Sequence, residues 1–300
     1  MTAASATLQD LLREATSHLA ASGIDTARLD AEVLLRYVLN TDRTGLFLRL
    51  PEPVPDAIRG PYAALIAGRT AGEPVAYLVG MREFMGMPFF VNASVLVPRP
   101  ETELLVEWAM EWLSRHPDAA IVDVGTGSGA IAISLAAAIA PTSKSIVVAS
   151  DASADALAVM TRNRQIHIGR GIVDRIVAVQ QSLLSETTGE IDLVLANLPY
   201  LTPEQIAENP DLAAEPRMAL DGGADGLDLV RALIADLPRV LTPTGAAGFE
   251  LDPSQTAAVE SLLRAAFPDA TVRTIHDLAG LPRHVVMERG NPADMPGTIG

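Results

Sequence analysis

The part of the chain that follows residue 119 is constrained by a regular alternation of short apolar runs with longer helical segments. The predicted strands are 120–124, 145–150, 176–180, 192–196, 246–251, 271–275 and 284–288. The predicted helices between them are 130–140, 154–166, 227–241 and 254–266. This alternation predicts an α/β domain with a mostly parallel sheet that is covered by helices on both faces.

The N-terminal quarter has a different pattern, in which leucines recur at helical spacing from Leu8 to Leu19. It predicts a small helical domain over residues 1–72, with a third helix at about 56–68. Two short apolar runs, 75–79 and 87–91, surround Gly80 and Gly86 and predict a β-hairpin linker over 73–97. The α/β domain is expected over 98–289, and the Gly- and Pro-containing segment 290–300 predicts a disordered tail.

A glycine-rich turn, Asp-Val-Gly-Thr-Gly-Ser-Gly at 123–129, lies between the first predicted strand and helix of the α/β domain. Glycines let a ligand approach the backbone, and the helix N-terminus presents free N–H groups. Asp151 ends the next strand, where an acid typically binds ribose hydroxyls. Residues 125–130 also satisfy the dinucleotide pattern G-x-G-x-x-A. Asp123 slightly favours S-adenosylmethionine, because a carboxylate attracts its ammonium group and repels a pyrophosphate.

The tetrapeptide Asn-Leu-Pro-Tyr at 197–200 ends the apolar run 191–196, which has the character of a buried strand. An Asn, a Pro and an aromatic ring at this point can hold a flat NH2 group in one plane. Together with the glycine turn, they predict methyl transfer from S-adenosylmethionine to a planar nitrogen. The structural alternative is an ordinary turn from strand to loop, where Asn and Pro are common.

Composition and charge narrow the environment and the partners. The net charge is −15; residues 1–90 hold 8 Arg and 10 acidic residues, so −13 falls on residues 91–300. This negative field disfavours direct nucleic-acid binding.

The absence of Cys excludes disulfides and thiolate metal sites and fits a reducing cytoplasm. The N-terminus lacks the pattern of a secretory signal, and the Ala-rich stretch 131–140 is too short to span a bilayer. We therefore expect a cytoplasmic protein with no membrane association and no metal.

Seven stretches carry a more specific resemblance: 83–88, 97–103 (Val-Pro-Arg-Pro-Glu-Thr-Glu), 123–129, 197–200, 215–216, 219–227 and 277–283. Through them the chain resembles the HemK/PrmC family, the protein-(glutamine-N5) methyltransferases that modify peptide chain release factors. The resemblance covers about residues 5–289. It implies a Rossmann-like class I S-adenosylmethionine-dependent methyltransferase domain, with a helical N-terminal domain that docks the release factor and a linking β-hairpin.

The resemblance also implies the site residues. S-adenosylmethionine would be bound by Asp123, Gly125, Thr126, Gly127, Ser128, Gly129, Asp151, Leu184 and Asn197. The glutamine of a Gly-Gly-Gln loop would be bound by Asn197, Leu198, Pro199, Tyr200, Arg99 and Glu103, and the catalytic residues would be Asn197, Pro199 and Tyr200. The Asn197 side-chain carbonyl and the backbone carbonyl of residue 198 would accept hydrogen bonds from the substrate NH2, and Tyr200 would stack on the amide.

The sequence departs from the family at two places. Leu198 stands where Pro is usual, although Pro199 still biases it to extended geometry. Leu183 and Leu184 stand where an acid and an aromatic residue often flank the adenine. Three alternatives stay open: an adenine-N6 nucleic-acid methyltransferase, whose target NH2 is equally flat; a non-enzymatic binding module that retains the fold; and a dinucleotide-dependent oxidoreductase.

Overall fold

The computed structural model describes residues 6–290, so the segment predicted as a disordered tail lies, except for Gly290, outside the described residues. The chain divides into two compact units. The first contains the described residues up to Met81 and the short segment Pro210–Ala214. The second runs from Arg82 to Asn209 and resumes at Glu215. No helix within residues 6–290 combines the length and the apolar character that crossing a membrane requires.

The first unit is helical, as the leucine spacing predicts. Its helices are α1 Leu8–Ala21, α2 Ala27–Leu39, α3 Arg43–Arg49, α4 Asp56–Thr70 and α5 Val75–Val79. A capping box starts α1, because the Thr7 hydroxyl accepts from the Asp10 N–H and the Asp10 carboxylate accepts from the Thr7 N–H. The Tyr62 hydroxyl donates to the Ala31 carbonyl at 3.0 Å and ties α4 to α2 inside the buried cluster.

The expectation of a strand at 75–79 is wrong, since these residues form α5. Short apolar runs do not separate strand from helix, and here Gly80 ends the helix with φ +71°. The β-hairpin lies further along, in β1 Met81–Phe84 and β2 Met87–Phe90. Its turn residues Met85 and Gly86 have φ values of +51° and +66°, as a tight hairpin turn requires.

The second unit contains the α/β sheet that the alternation predicts. Its helices are α6 Thr102–Arg115, α7 Ala130–Ala138, α8 Ala154–Ile166, α9 Pro203–Glu208, α10 Asp228–Val240 and α11 Thr256–Ala266. Its strands are β3 Ala120–Val124, β4 Ile146–Asp151, β5 Ile176–Gln180, β6 Ile191–Ala196, β7 Leu241–Glu250, β8 Thr271–His276 and β9 Pro282–Glu288. The order is β5-β4-β3-β6-β7-β9-β8, and β9 runs antiparallel to both of its neighbours.

Each face of the sheet packs into its own hydrophobic cluster. The first cluster joins strand residues such as Leu193 and Leu195 to Leu105 and Trp108 of α6. The second joins alternate strand residues to α10 and α11. The strands are consequently apolar on both sides, which is why they read as continuous apolar runs in the sequence.

Gly248 of β7 lies directly beneath α6. A Cβ atom at this position would stand 2.6 Å from Trp108 Cζ3 and 2.7 Å from Leu105 Cδ1. We predict that Gly248→Ala destabilises the protein by about 1–3 kcal/mol through overpacking, measured by urea unfolding. Gly189→Ala is the matched control, because a Cβ there meets nothing within 4 Å. Equal stability of the two variants would contradict this account of the packing.

Candidate active site

A cavity of about 300 Å³ opens at the carboxyl ends of β3, β4 and β6. The parallel register places these strand ends side by side, with Val124 of β3 next to Ser150 on one side and Ala196 on the other. In doubly wound sheets, ligands bind at the point where the strand order reverses. The lining includes Arg99, Gly125, Thr126, Gly127, Ser128, Asp151, Leu183, Asn197, Leu198, Pro199 and Met218.

The glycine turn forms the floor of this cavity and leads into α7. Gly125, Gly127 and Gly129 all have left-handed φ values of +73°, +53° and +82°, which favour glycine at each position. A Cβ on Gly129 would also stand 2.6 Å from Met160 Cγ. The turn is fixed to the next strand, because the N–H groups of Gly125 and Thr126 both donate to the Ser150 carbonyl at 2.9 Å.

Asp151 lies at the end of β4 and lines the cavity. One carboxylate oxygen accepts from the Gly127 N–H at 2.9 Å, and the other accepts from the Ser153 N–H at 2.9 Å. These bonds hold the carboxylate against the glycine turn. Carboxylate oxygens have several lone pairs, so Asp151 retains acceptor capacity toward ligand hydroxyls.

Asp123 is fully buried behind the turn and lies outside the cavity lining. Its Oδ2 accepts from the Thr126 hydroxyl at 2.6 Å and from the Ala132 N–H at 3.1 Å. Its Oδ1 has no hydrogen-bond partner among residues 6–290. Burial is the main cause that raises the pKa of Asp123 to about 7, and the nearby Asp151 adds to it. Asp123 therefore braces the turn internally, and its contact with a ligand ammonium group stays a prediction.

The segment after β6 brings three of the predicted residues, Asn197, Leu198 and Pro199, to the cavity. The Asn197 Nδ2 donates to the Thr102 hydroxyl at 3.0 Å, which leaves the Oδ1 carbonyl as the acceptor for a ligand NH2. Leu198 is buried, and its Cδ2 stands 3.0 Å from the position of a Cβ on Gly125. Leu198 thus packs the segment directly onto the glycine turn.

Tyr200 and Leu184 also lie outside the cavity lining, as does Gly129 at the end of the glycine turn. Tyr200 is half-buried. Burial, followed by the Glu250 carboxylate, raises its pKa above the ordinary value. Leu184 is fully buried in the hydrophobic cluster of the sheet, whereas its neighbour Leu183, with φ +52°, lines the cavity. The stacking role of Tyr200 and the adenine contact of Leu184 stay predictions.

Arg99 and Glu103 have different surroundings. Arg99 lines the cavity and pairs with the buried Glu215, whose second oxygen accepts from the Val97 N–H at 3.1 Å. Glu103 lies outside the lining, and its carboxylate accepts from the Met85 N–H in the hairpin turn at 2.7 Å. A direct substrate contact of either residue stays a prediction.

Thr102 is a site residue that the sequence reasoning missed. It is buried, lines the cavity and bonds Asn197. The signal in the sequence is the position of Thr102 inside the motif 97–103, between the charged residues Arg99 and Glu103.

Comparison with known proteins defines the class. The model of the PrmC N-terminal domain matches residues 10–80, and that of the methyltransferase small domain matches residues 101–218. The catalytic domain of human Mettl16 has a TM-score of 0.55 over 79% of this chain and 84% of its own, at 16% identity, so it supports the fold alone. The fold is that of the class I methyltransferases, as predicted.

The sequence relatives are more specific. The release factor glutamine methyltransferase of Nitratidesulfovibrio vulgaris is 39% identical over 295 residues, which cover 95% of this chain and 96% of the relative. That of Moorella thermoacetica is 38% identical over 279 residues, covering 92% and 96%. The chain belongs to the release factor glutamine methyltransferase family, which confirms the resemblance drawn from its motifs.

S-adenosylmethionine is the cofactor of this methyltransferase domain, and the residues present fit it. All three glycines have left-handed φ values, and a Cβ on Gly125 or Gly129 would press on Leu198 or Met160. Asp151 offers a carboxylate for hydroxyl groups, and Leu183 supplies an apolar wall. The dinucleotide-dependent alternative loses its support, since the glycine turn belongs to a methyltransferase.

The buried Asp123 predicts a specific pH dependence of stability. Its pKa is about 7 in the folded protein against 3.8 ordinarily, so the folded state binds a proton that the unfolded chain releases between these values. The free energy of unfolding therefore falls as pH rises through this range. Compared with Asp123→Asn, we expect it to fall by roughly 3 kcal/mol between pH 5 and pH 8. Urea unfolding of both proteins at pH 5 and pH 8 measures the difference. The exposed Asp155→Asn is the control, and a pH-independent difference for Asp123→Asn would refute the assignment.

Proposed function

We propose that this chain transfers a methyl group from S-adenosylmethionine to the side-chain amide nitrogen of a glutamine in the Gly-Gly-Gln loop of a peptide chain release factor. The observation that carries the proposal is the Asn197 side chain, held by Thr102 at the mouth of a cavity that also contains the glycine turn. The sequence relatives are release factor glutamine methyltransferases, which supports the choice of substrate.

The cofactor would occupy the part of the cavity formed by the glycine turn, Asp151 and the segment 181–183. When bound, S-adenosylmethionine supplies an electrophilic methyl group on a positively charged sulfur. The backbone of the glycine turn would orient the cofactor, and Asp151 would accept hydrogen bonds from its ribose hydroxyls. Leu198, packed against Gly125, would keep this part of the cavity adjacent to the substrate part.

The substrate amide needs help because its nitrogen lone pair is delocalised into the carbonyl. Asn197 Oδ1 and the backbone carbonyl of Leu198 can each accept one of the two amide hydrogens. Both bonds increase electron density on nitrogen and fix its direction, so catalysis rests on positioning and preorganised dipoles. Tyr200, at the end of the same segment, would cover the flat amide, and the extra proton leaves nitrogen after the methyl group has been transferred.

Surface features of the first unit support a docking role for it. Four large apolar side chains on or beside α2 and α3 are exposed: Leu29, Tyr37, Phe47 and Leu48. Large apolar side chains that are exposed together contribute to protein interaction sites, and these four residues of α2 and α3 are the ones we assign to docking. A translation factor as substrate also places the reaction in the cytoplasm, in keeping with a chain that has no Cys.

The decisive assay incubates the protein with tritium-labelled S-adenosylmethionine and three acceptors: release factor, its variant with the Gly-Gly-Gln glutamine replaced by Ala, and DNA. We expect label on the intact release factor alone, located on the glutamine side chain by mass spectrometry. Label on DNA would instead identify an adenine-N6 methyltransferase. No label on any acceptor would favour a non-enzymatic binding module.

The docking role makes a separate prediction. Leu48 is 76% exposed, and Leu48→Ser should raise KM for intact release factor by roughly 5-fold or more, since apolar contact area is lost. The kcat and KM for a short Gly-Gly-Gln peptide should stay unchanged. Ile168→Ser is the control, because Ile168 is 58% exposed and belongs to the second unit. Equal KM values for the two variants would argue against docking through α3.

A further inference from the structure

Three polar side chains stand in a row across the carboxyl ends of β6 and β7 and the amino end of the antiparallel strand β9. Ala196 of β6 is paired with Phe249 of β7, so the next residues along these parallel strands, Asn197 and Glu250, are neighbours. Glu250 is in turn the cross-strand partner of His284 in β9. Side chains at paired positions on one face lie about 5 Å apart at Cβ.

The three side chains share one face of the sheet. Successive residues of a strand point to opposite faces. Phe249 and Val285 belong to the cluster beneath α10 and α11, and so Glu250 and His284 point to the α6 face. Asn197 points the same way, because it bonds Thr102 at the start of α6. The row therefore runs beneath the first turn of α6 and ends at the cavity.

Glu250 and His284 are a buried pair with unfilled hydrogen-bonding capacity. Their side chains are 2% and 0% exposed, and His284 Nε2 lies 3.6 Å from Glu250 Oε2. In the part of the chain that the structure describes, this oxygen and both ring nitrogens have no hydrogen-bond partner. Such unpaired buried atoms cost free energy, and they leave the pair with donor and acceptor capacity toward its neighbours. Burial, and after it the Glu250 carboxylate, raise the pKa of Tyr200 in the segment 197–200.

We propose that Glu250 is a positioning residue that fixes the orientation of the Asn197 amide, with His284 as its counter-group. A carboxylate accepts hydrogen bonds and an NH2 group donates two. Asn197 donates one Nδ2 hydrogen to Thr102. The negative charge of Glu250 attracts the Nδ2 group and repels Oδ1, so Nδ2 is favoured on the side of Asn197 that faces Glu250. The Asn197 carbonyl is then kept toward the cavity, where the proposed function requires an acceptor. The inference rests on that function.

The first test is Glu250→Gln, which keeps the shape of the side chain. Because the Gln side chain has an NH2 group as well as a carbonyl, it can pair with either end of the Asn197 amide and no longer selects one orientation. We expect kcat on a Gly-Gly-Gln peptide to fall about 10-fold to 100-fold through misplacement of the acceptor. The KM for the peptide and the Kd for S-adenosylmethionine should change little. Glu250→Asp, which restores a carboxylate, should recover part of kcat.

Glu288 provides a matched control. It is a buried carboxylate of β9 on the same face as His284, bonded to Trp108 and Arg115 of α6 and placed at the opposite end of the strand. Glu288→Gln should lower stability and leave kcat unchanged. A fall in kcat that is equal in both variants would show a structural role for Glu250 and overturn the proposal.

In a second test, the effect of Glu250→Gln on the rate should reverse its sign when Asn197 is replaced by Asp. In Asn197→Asp, two carboxylates face each other, and like charges at this distance repel. Adding Glu250→Gln to Asn197→Asp should therefore raise the residual single-turnover rate, by about 10-fold, although the same change lowers the rate of the unsubstituted protein. A further decrease in the double variant contradicts direct coupling between the two side chains.

A spectroscopic readout needs no activity. The side-chain NH2 protons of Asn197, assigned by their loss in Asn197→Asp, should exchange with solvent at least 10-fold faster in Glu250→Gln than in Glu288→Gln, because only the first change removes the carboxylate beside Asn197. Equal exchange rates in the two variants overturn the proposal, and Glu250→Ala serves the same comparison if Glu250→Gln fails to fold. If the unsubstituted protein methylates no glutamine, the proposed function fails; if it does and Glu250→Gln retains full kcat, only the positioning role fails.

Discussion

The parallel register of β3 with β4 and β6 is the constraint on which the site depends. It brings Asp151, the glycine turn and Asn197 to one edge of the sheet, although they are separated by more than a strand and a helix in the sequence. The backbone bonds from Gly125 and Thr126 to Ser150 then transmit that register to the turn. A slip of one residue would invert the faces of a strand and remove Asn197 from Thr102.

The two aspartates beside the glycine turn, Asp151 and Asp123, have opposite surroundings. Asp151 is partly open to the cavity and satisfied by two backbone N–H groups. Asp123 is sealed behind the turn, where burial makes its charged form costly. The first arrangement suits a group that binds a ligand, and the second suits a group that organises backbone. Asp151 thus suits ligand binding and Asp123 suits support of the turn, although the two residues are chemically identical.

The sequence predicted the features that depend on local pattern and missed those that depend on contacts between distant segments. The strands of the sheet and the glycine turn follow from apolar periodicity and were predicted closely. The run Val75–Val79 is an exception: five apolar residues satisfy either periodicity, and they form α5 where the pattern predicts a hairpin strand. The bond from Asn197 to Thr102 and the pairing of Glu250 with His284 join residues far apart in the chain, so no spacing rule could reveal them. Tyr200 and Leu184 lie outside the cavity lining, and the residues next to them, Pro199 and Leu183, belong to it.

The first turn of α6 connects two parts of the second unit through consecutive residues. Thr102 receives the hydrogen bond of Asn197, and Glu103 receives that of Met85 in the hairpin turn. Adjacent positions on a helix turn together, since the helix backbone is continuous and hydrogen-bonded. The hairpin and the segment after β6 are therefore both hydrogen-bonded to the first turn of α6. A rotation of that end of the helix would displace both segments together.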